Sequence, residues 1–175
     1  GYDTAFSPAH VREAATRDEA RIGRIVSGAD GKESVYAVRE AMYDILERAA
    51  YVFRNGKDLT WGVQALQEVH ERAQHIGLAS DGVGANAELA LAIRMPGMVR
   101  LALCVCHGAL MRTESRGSHT REDFPERNDR DWLNRTLASW RPGADLPHLE
   151  YEPATSYVEL PPGDRGYGGG KIISA

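Results

Sequence analysis

Residues 98–111 read MVRLALCVCHGALM, and their reading decides the fold. Apart from Arg100 and His107, every position is apolar or small. A helix that is apolar all round is a buried one, so this run is the expected central member of a helical bundle. Just upstream, Asn86 can cap a helix beginning at Ala87, and Pro96-Gly97 predicts a kink or a restart within it. Downstream the chain turns sharply polar at Arg112, and Gly117 can take the left-handed conformation that stops a helix.

The cleanest amphipathic pattern lies earlier. Val35, Val38, Met42, Ile45, Leu46, Ala49, Val52 and Phe53 follow helical spacing, with Glu40, Asp44, Glu47 and Arg48 off the stripe. Asn55-Gly56 ends that pattern, and Asp58 can cap a third helix with Leu59, Val63, Leu66, Val69, Ala73 and Ile76 on one face, closed by Gly77. The short connection predicts antiparallel packing of these two helices. Before them, Ser7-Pro8 reads as a helix start, Val11, Ala15, Ile22 and Ile25 as its stripe, and Gly28 as its stop. The expected fold is therefore all-α: an antiparallel three-helix bundle with an additional N-terminal helix over residues 1–140, then an extended Pro/Gly-rich tail over residues 141–175. Within that tail, residues 149–151 and 157–160 could add strand pairing.

Length and charge narrow the function. The 175 residues suit one domain with a tail, and a net charge of −4 disfavours a general nucleic-acid binder. The longest uncharged apolar run, residues 101–111, is about half of the ~20 residues a membrane span needs, so no membrane insertion is expected. The chain begins at Gly1 with no basic-apolar leader after it, so it carries no message about targeting.

Several apparent motifs dissolve on inspection. Cys104 and Cys106 are two apart, so on a helix their thiols point to nearly opposite sides and cannot share a metal ion. They read as buried structural thiols. His70 and His75 miss the i, i+4 spacing of helical metal pairs, and with His10 and His148 they read as surface histidines. Ser115 and Ser118 lack the G-x-S-x-G elbow of a nucleophile. Gly168 to Lys171 fails the phosphate-loop spacing, because Arg165 and Ile172 stand where glycine and Ser/Thr are required.

The polar segment carries the stronger signal. From Arg112 to Arg135 there are six Arg, six Asp or Glu and no Lys. Arg keeps its charge and offers a planar fork matched to carboxylates, which suits a fixed contact surface. Its wording, ESRG-x-H, DFPER-x-D and WLNRTLASW, followed by LEYE and RGYGGGK, resembles the C-terminal region of succinate dehydrogenase/fumarate reductase flavoprotein subunits, most of all the quinol:fumarate reductases. L-aspartate oxidase shares ESRG-x-H and is the first alternative; an independent helical interaction module is the second.

The resemblance implies a helical C-terminal domain of a larger enzyme whose FAD-binding and substrate-capping domains lie N-terminal to it. It implies fumarate/succinate interconversion on FAD in the parent subunit. It further implies an iron-sulfur subunit and a membrane anchor subunit as partners, at the cytoplasmic face of the cell membrane. Nothing catalytic, cofactor-binding or metal-binding transfers to any position here. Arg116, His119 and Arg165 fall in the shared words and are the candidates for interdomain docking; for Arg116 and Arg165 an intradomain ion pair stands as the equal alternative.

Overall fold

The computed structural model describes residues 7–31, 33–79, 84–141 and 143–153. In chain order the elements are α1 (Pro8–Ser27), β1 (Glu33–Ser34), α2 (Val35–Ala49), β2 (Phe53–Arg54), α3 (Gly56–Arg72), β3 (Ile76–Gly77), α4 (Ala87–Met111), β4 (Thr120–Arg121), α5 (Asp129–Trp132), β5 (Asn134–Ser139) and β6 (His148–Pro153). The domain is mainly helical, as the periodicity predicts. Arg165 and the stretches 157–160 and 168–171 lie outside the described residues.

Helices α2, α3 and α4 form the core. Val35, Val38, Leu59, Leu66, Met95, Val99, Leu103 and Cys106 are fully buried between them. The two-residue parallel ladder of β1 with β3 brings the start of α2 beside the end of α3. At the other end, a Cβ on Gly62 would lie 2.4 Å from Ala49 Cβ and 3.1 Å from Cys106 Sγ. The beginning of α3 thus meets the ends of both α2 and α4, so α3 runs antiparallel to each. Glycine at position 62 is what lets the three backbones approach so closely.

Helix starts follow the sequence with one reassignment. Ser7, Ser34 and Asn86 cap α1, α2 and α4 by accepting from the N–H groups of His10, Ala37 and Leu89. The cap of α3 is Asn55, not Asp58: Asn55 Oδ1 accepts from Asp58 N at 2.9 Å, and Asp58 Oδ2 accepts from Asn55 Nδ2 at 2.9 Å. Asp58, three residues on, thus holds the capping side chain itself in place through its amide. Helix α1 stops at Gly28 with φ 65°, but only Ile25 on it is buried, and Val11 and Ala15 are exposed.

Four other expectations are corrected. α2 ends at Ala49, leaving Val52 and Phe53 exposed rather than on the core stripe. α4 runs unbroken through Pro96, so of the kink or restart expected there the restart does not occur. It is also not buried all round: Leu101 is 66% exposed and Val105 48%, beside a shallow groove lined by Met42, Leu46, Met98, Leu101, Ala102 and Val105. α4 is 25 residues long and holds an 18-residue window of mean hydropathy 1.7, enough in length and composition for a membrane span, a test that core helices also pass. Its Ala92, Met95, Val99, Leu103 and Cys106 form the bundle core. Finally, His70 is half-buried with its ring edge-on to Trp140 at 5.6 Å, not a plain surface histidine.

Beyond α4 the chain crosses the end of the bundle and forms an antiparallel hairpin, with Asn134 opposite Pro153 and Ser139 opposite His148. This pairing spans the composition change at Trp140. Trp132 packs edge-on against Tyr151 at 5.3 Å, joining α5 to the hairpin.

Candidate functional site

The last carbonyls of a helix need donors from outside it. For α4 a single side chain supplies them. Arg121 is only 2% exposed, and its Nη1 donates to the carbonyls of Ala109 (2.9 Å), Leu110 (2.9 Å) and Arg112 (3.0 Å). Its other edge forks onto Asp123, Nε to Oδ1 at 2.7 Å and Nη2 to Oδ2 at 2.8 Å. Asp123 Oδ2 also accepts from the backbone N–H of Gly56, the first residue of α3, at 2.8 Å. One Arg–Asp pair therefore joins the negative end of α4 to the positive end of α3. The Arg121 hydrogen bonds, aided by Gly56 N–H and opposed by burial, hold the Asp123 carboxyl at a pKa of about 2.

A second buried charge lies next to it. Glu114 has no exposed surface, yet every oxygen is engaged. Oε1 accepts from Arg112 Nη1 and from Arg116 Nε (2.7 Å), and Oε2 from Arg116 Nη2 (3.0 Å) and Asn128 N (2.8 Å). Burial alone pushes this carboxyl up; the donors from Arg116, Asn128 and Arg112 outweigh it and hold the group below its ordinary value. Arg112 extends the network to the hairpin, donating to Trp132 O at 3.0 Å and Asn134 O at 2.7 Å, with its guanidinium 4.9 Å from the Trp132 ring centre.

Two of the residues singled out from the sequence meet in this network, with their side chains directed to different partners. Arg116 and His119 exchange backbone hydrogen bonds of 2.8 and 2.9 Å across a two-residue turn. Gly117 opens that turn with φ 61°, so its left-handed conformation serves the turn and not the stop of α4, which already ends at Met111. Arg116 spans Glu114 and Asp129, the latter at 2.6 Å, so its ion pairs lie within the domain. His119 Nδ1 accepts from Arg54 Nη1 at 2.9 Å, which leaves the proton on Nε2, facing Arg112 O at 3.4 Å. Burial, with the charges of Arg54, Arg121 and Arg112, lowers the pKa of His119 and keeps the ring neutral. Ser115 closes a turn, its hydroxyl donating to Phe124 O (2.8 Å) and accepting from Arg121 N (2.8 Å). Cys106 is buried with Sγ 3.7 Å from Leu59 O, and burial raises its pKa to about 11.

Arg54, Arg112, Arg121 and Asp123 did not stand out individually in the sequence. The Lys-free balance of Arg and carboxylates pointed to the segment that holds three of them, but not to which would be buried.

The profile of the family described as "Fumarate reductase flavoprotein C-term" matches residues 39–167. The chain belongs to this family. It is 47% identical over 142 residues to the fumarate reductase flavoprotein subunit of Helicobacter pylori, covering 79% of this chain and 20% of that protein. With the fumarate reductase flavoprotein subunit of Mycobacterium tuberculosis it shares 35% identity over 159 residues, covering 90% of this chain and 27% of the relative. Among solved structures, the quinol fumarate reductase of E. coli superposes with a TM-score of 0.84 at 28% identity, over 97% of this chain and 29% of that one. The chain therefore spans between a fifth and three tenths of these relatives. The matches do not favour the L-aspartate oxidase or stand-alone module alternatives.

The family is one of flavoproteins, which raises the question whether a flavin fits here. Dinucleotide sites place the pyrophosphate at a helix N-terminus after a strand and a Gly-rich turn. In the described residues, the helix starts are already occupied by Ser7, Ser34, Asn55 with Asp123, Asn86 and Asn128. The groove on α2 and α4 is wholly apolar, and the one beside the hairpin carries two carboxylates, Asp129 and Asp131, against the single cation Arg130. The described residues do not fit the cofactor.

Proposed function

We propose that the protein carrying this chain interconverts fumarate and succinate on bound FAD. In that reading, electrons pass to or from quinone through an iron-sulfur subunit and a membrane anchor subunit, with the complex peripheral to the cytoplasmic face of the membrane. This chain is its helical C-terminal domain, and its contribution is structural. The segment bearing Arg116 and His119, together with Arg165 further on, docks against the FAD-binding part of the subunit. The observation that carries the reading is the match over residues 39–167, joined to 47% identity with a fumarate reductase flavoprotein subunit.

The internal ion pairs of Arg116 define how it would act. With its guanidinium held by Glu114 and Asp129, it fixes the shape of the segment presented to the FAD-binding part. The test is to purify the subunit that contains this chain and assay fumarate reduction with a reduced dye and succinate oxidation with an oxidised one. Turnover of either substrate supports the reading. A flavin-bearing subunit inert toward both, yet active on another substrate such as L-aspartate, overturns it.

A further inference from the structure

The run Tyr51, Val52, Phe53, Arg54 joins α2 to α3, and its exposure is unlike that of a solvated loop. Tyr51 is 66% exposed, Val52 48% and Phe53 67%, three consecutive large apolar side chains facing solvent. They are held in place. Phe53 and Arg54 pair in parallel with Thr120 and Arg121, and Glu122 N donates to Arg54 O at 2.8 Å. A fixed apolar surface of this kind marks a contact site more often than a lone exposed residue does.

Arg54 adds a charge to it. Its Nε donates to the carbonyls of Ala50 (3.2 Å) and Tyr51 (2.8 Å), and its Nη1 to His119 Nδ1. No carboxylate lies within ion-pair distance among the described residues, and Nη2 makes no hydrogen bond to them. Arg112, Arg116 and Arg121, its neighbours at the end of α4, each have a carboxylate. Half-buried, Arg54 has its pKa lowered by the loss of solvent, and its charge is under-compensated among the described residues. His119 cannot supply the missing anion, since it is neutral and offers only a lone pair.

We propose that Tyr51, Val52, Phe53 and Arg54 form a docking surface for an apolar segment bearing one carboxylate, supplied by the part of the flavoprotein subunit outside this chain. The inference rests on the functional reading above. Charge complementarity selects the occupant's chemistry: a carboxylate completes Arg54 at Nη2, while the apolar neighbours exclude water from the pair. The relatives supply the occupant's source, because this chain covers only 20% of the H. pylori subunit and that subunit's remaining length is one continuous polypeptide with it.

The test replaces Phe53 in the whole subunit with a benzophenone-bearing phenylalanine, irradiates it and maps the cross-link by peptide mass. The expected product is an internal cross-link to sequence outside residues 1–175. Val52→Asp, at an exposed position, and Arg54→Gln should each lower its yield, Arg54→Gln by about thirty-fold or more, the scale on which binding responds to losing one partner of a desolvated charge pair. A cross-link within residues 1–175, to a second copy, or to a different polypeptide overturns the proposal, as does an unchanged yield in both variants. Flavin content of the unirradiated subunit is read separately. Its absence would count against the functional reading, whereas the cross-link position alone decides the docking surface.

Discussion

Replacing Arg121 by Met tests how much of the domain depends on one buried guanidinium. The change keeps the aliphatic stem and removes five hydrogen bonds: three to the end of α4 and two to Asp123. Removing one side of a buried ion pair costs about 3–5 kcal/mol. Asp123 is 36% exposed at its side chain and keeps Gly56 N–H, so it rehydrates in part and the lower end of that range applies. The freed carbonyls of Ala109, Leu110 and Arg112 add cost only where water cannot reach them. A loss of about 3 kcal/mol is expected, which for a chain of this length corresponds to a fall in Tm of roughly 6–12 °C. Urea unfolding at neutral pH reads it as a lower midpoint at unchanged slope. Arg135→Met is the control, because Arg135 and Glu152 pair in the open, where solvent screens the charges, and its loss should leave the midpoint nearly unchanged. Equally small losses in Arg121→Met and Arg135→Met would refute the claim that the Arg121–Asp123 pair fastens α4 to α3.

Gly62→Ala forces a methyl against Ala49 and Cys106, and should cost about 1–3 kcal/mol by urea unfolding; a neutral result would mean the helices can move apart freely. Asp123 has its pKa depressed from the ordinary 3.8 to about 2, so its stabilisation is complete above about pH 4 and is lost as pH falls through 2. Asp123→Asn should flatten that part of the stability profile, and an unchanged acid limb would contradict it. His119 also has a lowered folded pKa, so it too favours the folded state above its unfolded value and works against it on acidification. An NMR titration should find its midpoint below that of a model histidine, with the proton on Nε2. Arg116→Ala leaves Glu114 with Arg112 and Asn128, so the chain itself should lose about 1–3 kcal/mol, the cost of one charged hydrogen-bond partner. Unchanged stability of the 175-residue chain would instead place the role of Arg116 in docking alone.

Much of the bundle was legible because its helices bury one face against each other and that face repeats every 3.6 residues. The stripes of α2 and α3, the caps at Ser7 and Asn86 and the stop at Gly28 rest on such local rules. Val52 and Phe53 kept the α2 phase but not its conformation. Arg54 Nε draws the carbonyls of Ala50 and Tyr51 into its own hydrogen bonds, so the helix ends and the two side chains turn outward. Residues 98–111 misled for another reason. Hydrophobicity marks a side chain as fit for burial without saying whether its own domain or another surface covers it, and Leu101 and Val105 are left uncovered here.

The candidate site was legible as a segment and not as an arrangement. Arg121 is buried because the α4 carbonyls need donors, and nothing in its flanking residues encodes that distant backbone end. Arg116 and His119 stand out by words shared with a family, and the sequence offers Glu114 and the acids from Glu122 onwards as local partners for Arg116 without choosing Asp129 among them or pairing His119 with Arg54. β5 went unread because its residues, Asn134–Ser139, are mostly polar or small, and only pairing with β6 makes them a strand.

The central claim is that this chain supports a flavoprotein subunit without holding its flavin. It is tested most directly by the flavin absorbance that co-elutes with protein on gel filtration, for the 175-residue chain mixed with FAD and for the whole subunit that contains it. The account predicts flavin with the whole subunit and none with the chain; flavin retained stoichiometrically by the chain, or absent from the whole subunit, would contradict it.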